Sequence, residues 1–151
     1  MKFDWQEIKK KMVGERLSPE DIAAGWALGV CIGCAIPFGM QLIISVPLAL
    51  MARISKVGAT VGTLVSNPFS VLLIYPTQTY IVDQLLFSGS LSFTKLMNTR
   101  WTWEAVKSLG AEAVASFFIG GVILAAICTP ITYFCVKRIV LEHRKRYGLP
   151  K

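Results

Sequence analysis

Two long uncharged stretches, each broken near its middle by proline, constrain this chain more than any other feature. Residues 22–50 carry no charged side chain yet are interrupted at Pro37-Phe38-Gly39. Residues 57–82 are also uncharged and are interrupted at Ser66-Asn67-Pro68. Runs of this length suit the hydrocarbon of a bilayer. Backbone that leaves the helix there loses hydrogen bonds worth several kcal/mol, so breaks persist mainly where protein covers them or where they line a cavity.

The predicted fold is an all-α integral membrane protein. It has two Pro-interrupted helical units, the first read as re-entrant, and one C-terminal transmembrane helix. Helix length argues for the re-entrant form. Residues 22–36 cover about 22 Å and residues 37–52 about 24 Å, each short of a hydrocarbon core of about 30 Å. Joined end to end they are too long for one straight span, and a single tilted, kinked helix is the alternative. Residues 113–136 give about 36 Å of helix, enough to cross with tilt.

The expected layout is one membrane domain over residues 18–140 between two polar ends. Residues 1–17 read as an interfacial amphipathic segment, with Phe3, Trp5, Ile8, Met12 and Val13 on one face. Unit one is 18–53, unit two 57–87, an interfacial connector 88–110 and the transmembrane helix 111–137. Residues 138–151 read as a basic cytoplasmic tail. Ser18 is placed to cap the first helix, with Pro19 at its first position and Glu20 and Asp21 at the positive end of its dipole.

The net charge of +7 is concentrated beside the apolar segments, which fits phosphate headgroups and cytoplasmic ends rather than nucleic acid. Lys137, Arg138, Arg144, Lys145 and Arg146 are the candidate lipid-headgroup contacts. Both termini are expected in the cytoplasm, so the number of crossings is even. Unit one turning back, unit two crossing and the last helix returning satisfies that parity. The opening residues lack the short apolar core of a cleavable signal peptide.

Catalytic chemistry has little to work with, and no catalytic residue, metal site or cofactor is expected. His143 is the only histidine and sits among charges. Cys31 and Cys34 have a redox-like spacing but no second ligand pair, and all four cysteines fit small packing positions.

The breaks carry the more specific signal. Pro37 and Pro68 each stand where a new helix would begin, and Asn67 suits the capping position before Pro68. Two restarts would place two positive helix ends together, a setting for a phosphate or carboxylate. Gln41, Thr63, Ser66, Asn67 and Ser70 supply uncharged polar groups, and Arg53 is the nearest cation. The candidate substrate-binding set is Pro37, Gly39, Gln41, Arg53, Ser66, Asn67 and Pro68. The same groups would also serve simply to satisfy the freed backbone. Asp83 reads either as a helix-end carboxylate facing water or as a coupling group.

Gly25, Gly29 and Gly33 form a smooth ridge on the first helix, echoed by Gly58 and Gly62 in the second unit. The echo suggests an internal repeat like those of transporters, and the ridge offers a docking surface for a partner helix.

Ser18-Pro19, Ile22-Ala23-x-Gly25-x-Ala27-x-Gly29, Gly33, Pro37-x-Gly39-x-Gln41, Ala49, Arg53 and Ser66-Asn67-Pro68 resemble the bacterial membrane family catalogued as domain of unknown function 2062. The likeness covers residues 18–140 and departs at Ser55, where the family commonly has Asn. The resemblance implies a small protein of the bacterial inner (cytoplasmic) membrane with no established activity. Some relatives are joined to glycosyltransferases of the polyprenyl-phosphate-sugar type, which implies a setting in lipid-linked sugar metabolism.

Two functions are therefore expected. The first is transport or handling of an anionic lipid, such as a polyprenyl phosphate, or of a small anion at the broken helices. The alternative is a non-catalytic accessory subunit of a membrane enzyme complex, docked through the glycine ridge. The expected partners are membrane lipids and either further copies of the chain or another membrane protein.

Overall fold

The computed structural model describes residues 17–87, 89, 91–99 and 101–146. The expected interfacial segment lies outside these residues except for Leu17, as does Arg100. Helix α1 (Pro19–Ala35) starts as its sequence dictates. The Ser18 hydroxyl accepts from the Asp21 amide at 3.1 Å, Pro19 needs no amide partner, and Glu20 and Asp21 complement the dipole. The helix ends because Pro37 disfavours helical backbone at Ile36, which is extended at φ −109° and ψ 137°.

Pro37 does not begin the next helix, contrary to the sequence expectation. The chain turns through Phe38, Gly39 and Met40, and helix α2 (Gln41–Met51) starts at Gln41. The reason is direction. A proline restart continues a path, whereas here the path reverses, and Gly39 at φ 100° supplies a backbone conformation that L-residues avoid. A second tight turn holds Arg53 at φ 57°. The Ser55 amide then donates to the Asp21 carbonyl at 3.2 Å. Unit one is thus a helical hairpin whose exit lies beside its entry.

Helix α3 (Lys56–Gly62) is capped by Ser55, whose hydroxyl accepts from the Gly58 amide at 2.8 Å. It runs alongside α1, with Gly58 against Trp26, Gly62 against Gly29, and Val65 against Gly33. A 3-10 turn over Thr63–Ser66 follows, and Asn67 is extended. Helix α4 (Pro68–Leu86) then departs at 66° to the preceding helical segment.

Two short helices, α5 (Phe93–Met97) and α6 (Trp103–Ser108), lead to α7 (Ala111–Arg146). At about 1.5 Å per residue, α7 is about 54 Å long. It is the one described helix long and apolar enough by itself to cross a membrane, and the bent segments Lys56–Ser66 and Pro68–Leu86 qualify as a pair. Helix α7 also corrects the expected tail. Residues 138–146 continue the helix, with Val140 packed against α1 and Arg138 paired to Glu142 one turn on.

Helix α7 organises the packing. Its C-terminal part packs Val136 and Val140 against Ile22 and Ala23, and its middle packs Ala125 against Val30 and Cys34. Its first turns place Phe117 against Val71 and Tyr75 of α4, with Leu96 and Trp101 completing that cluster. Trp101 is 4% exposed, with its ring stacked on Phe117 at 5.6 Å.

Candidate functional site

The two breaks meet at the C-terminal end of α1. A helix end leaves carbonyls without partners, and in this chain side chains from three later elements supply donors. Gln41 Nε2 donates to Ile36 O at 2.9 Å, with Gly33 O at 3.1 Å. It also donates to the Tyr75 hydroxyl at 2.8 Å. That hydroxyl in turn donates to Ile36 O at 2.9 Å, with Gly33 O at 3.1 Å. Ser66 Oγ donates to Gly33 O as well. Gln41, Ser66 and Tyr75 are all buried.

Of the sequence candidates, the structure therefore brings Gln41 and Ser66 together. Asn67 and Pro68 adjoin them, but the Asn67 side chain is occupied. Its oxygen accepts from the Phe69 and Ser70 amides at 2.9 and 3.0 Å, while Ser70 Oγ accepts from the Asn67 amide at 2.9 Å. Helix α4 thus begins with its free amides already satisfied. Thr63 is turned to its own helix, donating to Thr60 O at 2.7 Å. Helix α2 differs, since Met40 provides no side-chain cap. Pro37 is fully buried at the turn, and a Cβ on Gly39 would have open space around it.

Arg53 does not join this group. It lies in the turn before Ser55, which bonds back to Asp21 near the start of α1, so most of the length of α1 separates it from Ile36. Tyr75 is the residue that sequence reasoning missed. Its place in an uncharged run marks it only as apolar, and its role depends on the tertiary approach of α4 to α1.

The glycine ridge also has a different use from the one expected. A Cβ at Gly62 would lie 2.5 Å from Trp26 O and 2.9 Å from Gly29 Cα. A Cβ at Gly33 would lie 2.9 Å from the Val65 side chain. The ridge is filled by the chain's own α3, so it offers no docking surface. Ser55, the departure from the family pattern, caps α3, and Ser and Asn serve that position about equally.

The expected headgroup cations divide. Lys137 pairs with Glu20 at 3.0 Å across α7 and α1. The ammonium beside it holds the Glu20 carboxyl below the usual carboxylate range. Arg144 is buried and donates from Nη2 to Leu17 O at 2.6 Å, which removes it from the headgroup set. Arg138, Lys145 and Arg146 remain exposed. Asp83 proves fully buried rather than facing water, and its Oδ2 accepts from the Leu91 amide at 3.0 Å.

Around the breaks the surface is apolar. Phe38, Met40, Leu42, Leu64 and Phe69 are all exposed, Phe69 to 88%. Along α7, Val122, Ile123, Ile127, Ile131 and Phe134 are exposed too.

An all-helical chain with one candidate membrane-spanning helix and a bent helix pair defines the structural class. The chain belongs to the family described as an uncharacterized protein conserved in bacteria (DUF2062), whose sequence profile matches residues 4–147. No curated protein and no solved structure matches it.

Proposed function

We propose that the chain is a small multi-pass protein of the bacterial cytoplasmic membrane that transports or handles an anionic lipid at its paired helix breaks. In this reading α1 and α2 form a re-entrant hairpin, α3 and α4 make one bent crossing, and α7 returns. Both termini then share the cytoplasmic side, in keeping with Leu17 lying beside Arg144.

The observation that carries the reading is the meeting of both breaks beside the apolar middle of α7. Ser66 bonds Gly33 O, while the adjoining Cys34 carbonyl lies against Gly121, well within the apolar part of α7. Broken helices that meet at membrane depth are the usual setting for a transporter's substrate. The uncapped start of α2 supports an anionic headgroup there, as its dipole presents partial positive charge. The exposed Phe38, Met40, Leu42 and Phe69 around the breaks favour a substrate with acyl or prenyl chains over a free anion.

Native mass spectrometry after gentle extraction tests this, with wild type compared to Gln41→Leu and Asn67→Ala. A distinct anionic lipid retained by wild type and lost from a folded variant supports the reading. Reconstituted vesicles then report movement of labelled anionic against zwitterionic lipid. Bulk phospholipid held equally by all three proteins, with no lipid movement, rejects it. Retention of a small anion in place of a lipid rejects the lipid assignment.

A further inference from the structure

The breaks occupy the C-terminal end of α1, and a different feature gathers at its start. Two segments far apart in sequence meet residues 17–21 there. The Ser55 amide bonds the Asp21 carbonyl at 3.2 Å, and Lys137 pairs with the adjacent Glu20 at 3.0 Å. Further along α7, Arg144 Nη2 bonds Leu17 O at 2.6 Å. The turn that carries Arg53 and Lys56 and the end of α7 that carries Lys145 and Arg146 are therefore tied to one end of the molecule. All four of these residues are exposed.

The acids at this end are already engaged. Glu20 pairs with Lys137 and Glu142 with Arg138, while Asp21 accepts from the Ser18 hydroxyl at 2.7 Å. Arg53, Lys56, Lys145 and Arg146 have no ion-pair partner among the described residues. The stretch at the other end of the apolar helices is balanced, since residues 83–112 hold Lys95, Arg100 and Lys107 against Asp83, Glu104 and Glu112. Exposed cations held together without counter-charges repel one another, and anions drawn to them relieve that repulsion. We infer that Arg53, Lys56, Lys145 and Arg146 form a cationic collar that recruits acidic phospholipid headgroups of the leaflet around the start of α1. A leaflet supplies many phosphates, so side chains spread around α1 need not converge on one atom. The length of α7 favours a lipid partner. Its apolar run ends at Val136, which sets the hydrocarbon boundary near Lys137. Arg146 lies about 14 Å further along the helix, across a headgroup layer of about 5–8 Å and into the solvent where the potential of an anionic surface still acts.

The collar rests on the membrane reading above but not on lipid handling at the breaks. The test is electron paramagnetic resonance of spin-labelled phosphatidylglycerol or phosphatidylcholine, each at trace level in phosphatidylcholine vesicles that contain the full-length protein. The spectrum separates lipid held beside the protein from free lipid. Wild type is expected to favour phosphatidylglycerol by about threefold or more at low salt and to lose most of that preference in molar salt. Arg53→Gln with Lys56→Gln, and separately Lys145→Gln with Arg146→Gln, should each lower the preference by about twofold, within the roughly fivefold that one surface cation contributes. Gln41→Leu should leave it unchanged. Equal association of both lipids with wild type overturns the collar, as does a preference that neither pair of substitutions alters. A preference lost only in Gln41→Leu assigns the acidic lipid to the breaks and likewise overturns it. Displacement of the labelled lipid by inorganic phosphate, but not by chloride at the same ionic strength, rejects the lipid in favour of a free phosphate.

Discussion

The Tyr75 hydroxyl of α4 stands 2.9 Å from the Ile36 carbonyl that ends α1, across a separation of 39 residues. The contact joins the two broken units where each leaves its helix. Gln41 bonds both the hydroxyl and the carbonyl, so the three groups act as a unit.

Tyr75→Phe keeps the ring against Phe117 and removes only the hydroxyl. It should cost about 1–3 kcal/mol, the range for leaving buried polar groups unpaired. Gln41→Leu should cost at least as much because it strips both carbonyl and hydroxyl of a partner. The double variant should be less destabilised than the sum, since each change already breaks the shared network. Chemical unfolding in mixed micelles measures all three, and strict additivity would count against the network.

Gly62→Leu places a side chain against Trp26 O and Gly29 Cα, both backbone atoms that yield little. A loss of more than about 2 kcal/mol is expected from forced separation of α1 and α3. The accessory reading predicts something else, a folded chain that no longer binds a partner. Circular dichroism and size-exclusion profiles of the purified variant separate the two.

Backbone strain gives a contrasting pair. Gly39→Ala introduces no steric contact but forces alanine to φ 100°, and about 1–2 kcal/mol of destabilisation is expected. Arg53 already sits at φ 57°, so Arg53→Gly should be neutral or stabilising by up to about 1 kcal/mol. Thermal melts of both variants give the comparison. Loss of lipid retention in a stable Arg53→Gly protein would give that cation a functional role despite its distance from the breaks.

Asn67→Ala removes the acceptor for two amides at the start of α4 and should cost about 0.5–2 kcal/mol. Asn67→Asp should restore most of it, because aspartate caps equally well. Melting both variants beside wild type checks the ordering.

The Glu20–Lys137 pair sets a dependence on pH. The Glu20 carboxyl is lowered, so its contribution is complete above the ordinary carboxylate pKa and disappears as pH falls through the lower folded value. Glu20→Gln should therefore lower the melting temperature slightly near neutral pH and make no difference in strong acid. The effect should be small and should shrink with salt, since the pair is solvated.

Local chemistry in the sequence determined much of the chain's course. Ser18-Pro19 and Asn67-Pro68 specify helix starts through groups only a few residues apart, and the proline at position 37 stops α1 through the conformation of Ile36. The uncharged runs likewise identify which segments suit hydrocarbon. Direction was not determined by these signals. Whether the chain continues or reverses after Pro37 depends on the turn through Gly39 and on the Ser55–Asp21 bond that closes it. Residue roles followed from that path. The glycine ridge met α3 rather than a partner, Arg144 turned to Leu17, and Tyr75 became the link between breaks. A cap is a contact between neighbours in the chain, whereas each of these contacts joins groups that only the packed helices bring within reach.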